Sequence, residues 1–197
     1  MKSFIILFSL VLSVAAQAQD FNKNLSSART AYASGNLEDA RFAMQQMLND
    51  IDMIVGKEIL KLLPAKMDAM TSDAKKDNVT ANTGLAGVLI HREYGTGEKT
   101  SSIEVMGNSP LVASINAILS IPFVGNSSDG TQKIVKIQGY KSVLQKSVDA
   151  ETNKTDFTLQ IPLNSTLVTF AIHDSTEADV LRLANTIPVT EIAKLVQ

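Results

Sequence analysis

The chain of 197 residues balances 18 lysines and arginines against 20 aspartates and glutamates, which gives a formal net charge of −2. This balance provides no basic field that would attract nucleic acid or an anionic membrane surface. The absence of cysteine excludes a disulfide framework and a lipid-modified cysteine, so the fold must rely on a hydrophobic core, for which the length is sufficient.

The first 18 residues have the pattern of a secretory signal peptide. Lys2 supplies a positive charge, an apolar run extends from Phe4 to Val14, and Ala16-Gln17-Ala18 is a small-x-small cleavage pattern. The apolar run is too short to span a bilayer. We therefore expect a mature chain that begins at Gln19, contains no membrane-spanning segment and is exported to the periplasm or the extracellular space.

Residues 19–63 are predicted to form an antiparallel hairpin of two amphipathic helices. The first helix ends at Gly35, because glycine tolerates the left-handed conformation that closes many helices. The second helix begins at Asn36, a good N-cap residue that is followed three residues later by Asp39, and it ends before Pro64.

This hairpin resembles a single tetratricopeptide-type repeat, because small residues stand where its two helices would cross. The residues that carry the resemblance are Leu25, Ala28, Tyr32, Gly35, Ala40 and Leu48. One repeat cannot bury its own apolar face, and no second repeat follows in the sequence. The alternative interpretation is an antiparallel helical hairpin docked on a sheet.

The next part of the chain combines a polar segment with a predicted β-hairpin. Lys66 to Gly84 is polar and is predicted to be a loop. Gly87–Tyr94 and Thr100–Met106 are predicted strands around a glycine-rich turn. The side chains expected to face inward are Val88, Ile90, Ile103 and Val105.

A helix and two further strands are predicted next. Ser109-Pro110 is typical of a helix start, because serine is a good cap and proline suits the first helical position. Asn126 to Gly130 is a predicted loop, and Lys133–Tyr140 and Ser142–Val148 are predicted strands. The expected apolar side of the helix consists of Leu111, Ile115 and Ile118 or Leu119.

The most strongly patterned stretch, Phe157 to His173, predicts a β-hairpin with a two-residue turn at Asn164-Ser165. A shift of one residue would turn its apolar face to water, so the register is well determined. Pro162 cannot donate a backbone hydrogen bond, and we expect a sheet edge or a strand end beside it. The predicted pairs on the apolar face are Leu163–Thr166, Ile161–Val168, Leu159–Phe170 and Phe157–Ile172.

Two short helices are predicted to close the chain, one capped within Asp174-Ser175-Thr176-Glu177 and one from about Val189. About six strands, mostly neighbours in sequence and joined by short turns, predict an antiparallel sheet covered on one face by helices. We therefore predict an α+β fold with a signal peptide (1–18), a helical hairpin (19–63) and a sheet domain (64–197), the hairpin and the sheet forming one compact unit.

Two histidines, His91 and His173, are the side chains that titrate near neutral pH unaided. A zinc or acid–base site would require both to meet a carboxylate such as Glu93, Glu104 or Asp174, and the spacing does not demand such a meeting. We expect these histidines at the surface or at strand ends, and we expect no metal.

The sequence contains no Gly-x-Ser-x-Gly elbow and no cysteine nucleophile. Gly95-Thr96-Gly97-Glu98-Lys99 is rich in glycine, but it lies between two predicted strands instead of before a helix. It is therefore typical of a hairpin turn, not of a phosphate-binding loop. These observations predict no catalytic residue and no cofactor.

Four residues are candidate contacts with a protein partner. Arg92 and Tyr94 continue the face that Val88 buries, so they either close the rim of the core or offer a contact there. Phe42 lies off the main apolar stripe of the second helix and beside Arg41. An exposed aromatic next to an arginine is the composition expected at the centre of a docking surface, although single exposed aromatics are also common.

Several short motifs resemble those of an uncharacterised family of exported bacterial proteins of about this size. They are Leu63-Pro64, Arg92-x-Tyr94, Ser109-Pro110, Gly139-Tyr140 and Ala184-Asn185-Thr186-Ile187 with the segment to Leu195. The resemblance covers Lys61 to Val196, and the order of strands and helices is also similar to the PsbP-like arrangement of accessory proteins. A fold-level likeness implies no activity.

Three functional hypotheses follow from the sequence. The first is a non-catalytic periplasmic or secreted binding or accessory module that meets another protein through its sheet or its helical hairpin. The second is a carrier that holds a small apolar ligand between sheet and helices. The third is an enzyme.

Overall fold

The computed structural model describes residues 20–81, 87–97, 99–121 and 130–196. The predicted signal peptide lies outside these residues, and so does all of the predicted loop at 126–130 except Gly130. The described chain forms two compact units. A helical unit ends at Ile54, and a unit that contains the sheet begins at Val55.

The helical unit contains α1 (residues 20–33) and the first part of α2 (Leu37–Leu62), which confirms the predicted helical hairpin. Gly35 lies between the helices with a φ of 77°. Asn36 caps α2 as predicted, because its Oδ1 accepts a hydrogen bond from the backbone N–H of Asp39 (3.2 Å). The buried residues within 20–54 are small: Ala28, Ala40 and Ala43.

The second unit contains a seven-stranded antiparallel sheet and a separate two-stranded ladder. The ladder consists of β1 (Lys66–Met67) and β2 (Met70–Thr71). The strands of the sheet are β3 (Asn78–Ala81), β4 (Val88–Thr96), β5 (Lys99–Met106), β6 (Gln132–Ile137), β7 (Tyr140–Val148), β8 (Thr155–Leu163) and β9 (Thr166–Ile172). They lie in the order β3-β4-β5-β9-β8-β7-β6. The helices of this unit are α3 (Leu111–Ser120), α4 (Glu177–Ala184) and α5 (Val189–Leu195), with the end of α2.

β8 and β9 form the predicted central hairpin in the predicted register. Asn164 in the turn has a φ of 52°, a conformation that asparagine tolerates better than most residues. Pro162 lies beyond the last residue pair between β7 and β8, which is Val143 with Gln160. The backbone N–H that proline lacks would therefore have no partner strand at this position, which is a strand end of the β7–β8 pairing. The pairs on the apolar face are Leu163–Thr166, Ile161–Val168, Leu159–Phe170 and Phe157–Ile172, all buried.

The apolar face of this hairpin belongs to the inner face of the sheet, which the end of α2, α4 and α5 cover. Ile59, Val180 and Ile192 from these helices are fully buried in one cluster with the inner-face side chains. α4 begins as predicted, because Thr176 Oγ1 accepts a hydrogen bond from the backbone N–H of Asp179 (3.2 Å). The inner-face side chains of the central strands are Ile90, Ile103, Val105, Leu159, Ile161, Val168 and Phe170.

α3 packs against the opposite, outer face of the sheet, whereas the sequence predicted helices on one face. Val112 and Ile115 form a small cluster with Val143 and Leu167, and Leu167 alternates with inner-face residues along β9. Leu111, predicted to lie on the apolar side of the helix, is 48% exposed. The helical period correctly placed Ile115, Ile118 and Leu119 on the packed side of the helix. A period does not specify, however, against which face of the sheet that side packs.

The predicted loop from Lys66 to Gly84 contains regular structure in its described part. It includes β1, β2 and β3, and β3 pairs with β4 at an edge of the sheet. The sheet therefore has seven strands where about six were predicted. Met67 and Met70 of the small ladder are buried in the main core.

Gly56 marks a close approach between α2 and the sheet within the second unit. A Cβ atom at this position would lie 2.6 Å from Cγ1 of Val79 and 2.9 Å from Cγ2 of Val88. Alanine normally stabilises a helix interior by about 1 kcal/mol relative to glycine. Overpacking of a core, however, costs roughly 1–3 kcal/mol. We therefore expect Gly56→Ala to lower the free energy of unfolding, measured by urea titration.

A second substitution tests the cause of this expected loss. Val79→Ala removes Cγ1 of Val79, the nearer of the two side-chain atoms that the new methyl group would meet. The double variant should therefore lose less than the two single variants lose together. An increase in stability for Gly56→Ala alone would show that this contact has room for a methyl group.

Candidate functional site

Polar side chains form a row across the outer face of the sheet. The strand register aligns His91 with Glu104, Thr169 and Gln160, and Asn78 extends the row onto β3. The first four of these residues are half-buried among their neighbours. Antiparallel sheets commonly present one polar face to water. The row is therefore a polar surface. What it can do chemically depends on which charged side chains contact one another there.

His91 belongs to a small charged group on this face. Its Nε2 lies 3.4 Å from Oε1 of Glu93, and Nζ of Lys76 donates a hydrogen bond to Oε2 of Glu93 (2.5 Å). These two contacts lower the pKa of Glu93, and the hydrogen bond from Lys76 has the larger effect. Glu93 therefore remains ionised, with both oxygens engaged. The Lys76–Glu93 pair is exposed, as an ion pair at the surface of a sheet usually is.

His173 forms a second, separate pair with Asp156 at the end of the central hairpin. Nδ1 of His173 lies 2.9 Å from Oδ2 of Asp156, and the backbone N–H of Asp174 donates to Oδ1 (3.1 Å). The histidine bond is the main reason that the pKa of Asp156 is lowered. Asp156 also borders a polar cleft of about 280 Å³ with Ser147, Gln145 and other residues.

The order of these groups does not match a nucleophile relay. Asp156 on β8 lies between Ser147 on β7, its register partner, and His173, which follows β9. A Ser–His–Asp relay needs the imidazole between hydroxyl and carboxylate. This arrangement is therefore a hydrogen-bonded histidine–carboxylate pair at a strand end, which agrees with the position expected for His173.

The two histidines do not converge. His173 lies four residues beyond Thr169 along β9, and His91 is aligned with Thr169 from two strands away. Standard strand dimensions place the two histidines about 16 Å apart. Within the described ranges, no cluster of three or more His, Asp or Glu side chains could hold a metal ion.

Arg92 closes one end of the core. Its Nε and Nη2 donate to the two carboxylate oxygens of Asp77 (2.9 and 2.6 Å), and its Nη1 donates to the backbone carbonyl of Leu63 (2.9 Å). The side chains of Arg92 and Asp77 are each only 13% exposed. The bidentate pair raises the pKa of Arg92. Arg92 thus joins the segment after α2, the loop before β3 and strand β4.

Tyr94, two residues further along β4, is completely buried. Burial raises the pKa of its phenol to about 12, against a smaller lowering effect of nearby Arg92. Among the described residues, the Tyr94 hydroxyl has no hydrogen-bond partner. The sequence left two alternatives for Arg92 and Tyr94, closing the rim of the core or offering a contact there. In the structure these two side chains close the rim.

Phe42 and Arg41 lie on the surface of the helical unit. Phe42 is 65% exposed and borders a groove of about 550 Å³ between α1 and α2. Arg41 is also exposed. The groove is lined by small polar side chains and alanines: Asn24, Ser26, Ser27, Thr30, Ala31, Ser34, Asn36, Asp39 and Ala43. Phe42 is thus a large apolar group at the edge of a concave polar surface.

Comparison of the chain with protein-family models, with curated proteins and with solved structures found no match. The resemblances noted in the sequence therefore stay predictions. In the described part of the chain, no helix is both long enough and apolar enough to cross a bilayer.

Sequence reasoning missed the carboxylates that bind His173 and Arg92, which are Asp156 and Asp77. The partner of His173 had a signal, because continuing the predicted hairpin register past Phe157–Ile172 places Asp156 opposite His173. The partner of Arg92 had none, because Asp77 lies in a segment that the sequence assigned to a loop.

Proposed function

We propose that this protein is an exported, non-catalytic binding or accessory module that meets another protein through its helical hairpin. The observation that supports the proposal is Phe42, which is 65% exposed at the edge of the groove between α1 and α2. A protein in water gains by covering such a ring, since burial of a phenylalanine side chain contributes about 1.5–3 kcal/mol.

The surroundings of Phe42 have the composition of a binding surface. Aromatic and arginine side chains are enriched among residues that dominate interface energies, and a polar rim typically surrounds them. Arg41 is the neighbour of Phe42, and the serine and threonine hydroxyls of the groove supply hydrogen-bonding groups beside the ring. The two clefts described above are both lined largely by polar side chains, so neither favours the alternative of an apolar-ligand carrier.

The proposal predicts that Phe42→Ser abolishes partner binding without unfolding the protein. Changes at exposed positions rarely exceed about 0.5 kcal/mol, so the melting temperature should move by only about one or two degrees. The measurement is recovery of a partner identified by mass spectrometry, from cells that produce the protein, with the wild type and the variant in parallel.

Leu111→Ser provides a matched control, because Leu111 is an exposed apolar residue of α3 in the other unit. This variant should retain the partner. A large fall in melting temperature for Phe42→Ser would place Phe42 in a core, and equal recovery by both variants would place the docking surface elsewhere.

A further inference from the structure

The first part of α2 carries two apolar seams, of which α1 covers one. A seam here means residues separated alternately by three and four positions, the spacing of a coiled-coil contact. The covered seam includes the buried Ala40 and Ala43. The second seam, called the free seam below, consists of Leu37, Arg41, Met44, Leu48 and Ile51.

The side chains of the free seam remain in solvent. Leu37 is 64% exposed, Leu48 is 55% exposed, and Met44 and Ile51 are 50% and 44% exposed. Scattered single apolar groups at a surface are ordinary, but four of them in one line along a helix form a contiguous patch. A sustained spacing of 3.5 residues fits best against another helix with the same spacing.

Two charged side chains, Arg41 within the free seam and Asp52 beside it, lack a counterion among the described residues. Arg41 is exposed and Asp52 is half-buried, and neither side chain forms a hydrogen bond or an ion pair with any described residue. Partial burial raises the pKa of the Asp52 carboxyl. The two residues are about three helical turns apart and therefore lie on the same flank of α2.

From this pattern we infer that the occupant of the free seam is a second copy of the protein, whose α2 helix runs antiparallel to the first. The residues of the free seam occupy the two core positions of a heptad, a and d, in alternation. In an antiparallel pair, each a residue of one helix faces a d residue of the other. Such a register places Met44 opposite Leu48 of the second copy, and Leu48 opposite Met44. It also places Arg41 opposite Ile51 and beside Asp52 of the second copy, so each dimer contains two equivalent Arg41–Asp52 contacts.

The charges distinguish this arrangement from a parallel one. In a parallel pair with the helices in register, Arg41 would face Arg41 of the second copy, and each Asp52 would still lack a cation. The antiparallel pair removes that repulsion and supplies the half-buried carboxylate with a guanidinium. Both arrangements obey the two-fold symmetry of most protein dimers, so the charges alone distinguish them.

This dimer goes beyond the proposed function and leaves the Phe42 surface free. Phe42 follows Arg41 directly, and one residue of helix is a rotation of about 100°, so Phe42 points away from the free seam. Phe42→Ser should therefore leave the dimer unchanged, even if it abolishes the recovery of another protein. The two proposals can then fail independently.

Charge reversals in the purified protein, which begins at Gln19 after removal of the predicted signal peptide, test the inference. Sedimentation equilibrium at low ionic strength should detect a dimer of this chain. Arg41→Asp and Asp52→Arg each create two like-charge contacts in the dimer, so each should raise the dissociation constant by at least about tenfold. An equimolar mixture of the two variants restores both opposite-charge contacts in a mixed dimer, whose dissociation constant should lie within about threefold of the wild-type value.

Two further variants make the outcome decisive. Arg29→Asp, a matched reversal at an exposed arginine of α1, should not change the dissociation constant. Leu48→Glu should yield a monomer, with circular dichroism showing that its helices persist. A wild-type protein that is monomeric at all concentrations would overturn the inference, and a mixture that associates no better than its components would overturn the antiparallel arrangement.

Discussion

Phe170→Asp is expected to destabilise the protein by about 3 kcal/mol or more, because it places a carboxylate on the covered face of the sheet. Phe170 is fully buried between Leu159 and Ile103, its register partners on either side. The neighbouring position gives the contrast. Thr169 lies on the outer face, and Thr169→Asp should cost only about 1 kcal/mol, mainly because Glu104 lies opposite it.

Urea titration of both variants, followed by circular dichroism, measures these two free energies. Thr169→Asn is the control for Thr169→Asp, since it keeps the size of the side chain and removes the repulsion from Glu104. Equal losses at positions 169 and 170 would contradict the assignment of the two faces.

The central hairpin could be predicted because two independent signals agree. Alternation along Phe157 to His173 selects the buried face, and the Asn164-Ser165 turn fixes which residues pair. The cap at Asn36 was equally predictable, since a capping side chain acts on a backbone group only three residues away. Local chemistry determines these features, so the sequence contains them.

The features that were missed depend on distant parts of the chain. β3 is a short edge strand in which Val79 is the one large apolar residue, and its pairing with β4 shows no local signal. The placement of α3 depends on apolar residues such as Leu167 on the outer face, which the alternation of β9 assigned to a wet surface. Periodicity identifies an apolar side, but only the assembled sheet determines what receives it.

The candidate sites also divide into features that local sequence determines and features that depend on distant residues. The burial of Tyr94 follows from the alternation of β4, which also places Arg92 on the covered side. The exposure of Phe42 does not follow from its position off the predicted apolar stripe of α2, because Leu37 and Met44 of that stripe are exposed as well. The bonds from Arg92 to Asp77 and to the carbonyl of Leu63 do not follow, because these partners are separated from it by 15 and 29 residues. Neither period nor turn chemistry relates residues at such distances.

Removal of the Arg92 guanidinium is the second change expected to have a large effect. Arg92→Met leaves the carboxylate of Asp77, which is 13% exposed, without its cation, and it leaves the carbonyl of Leu63 without its donor. Breaking a largely buried ion pair at one partner costs about 3–5 kcal/mol, mostly because the other charge stays buried. We expect a loss in that range in the free energy of unfolding, measured by urea titration.

Arg182→Met is the matched control, because Arg182 pairs with Asp68 and with Asp179 (3.1 and 3.0 Å), but its side chain is 53% exposed. Ion pairs in solvent contribute little, so this variant should unfold at nearly the wild-type urea concentration. The double variant Arg92→Met, Asp77→Leu should recover part of the loss, since it removes the stranded charge as well as the cation. If Arg92→Met were as mild as Arg182→Met, the Arg92–Asp77 pair would have to be solvated like a surface pair, and Arg92 would again be available to a partner.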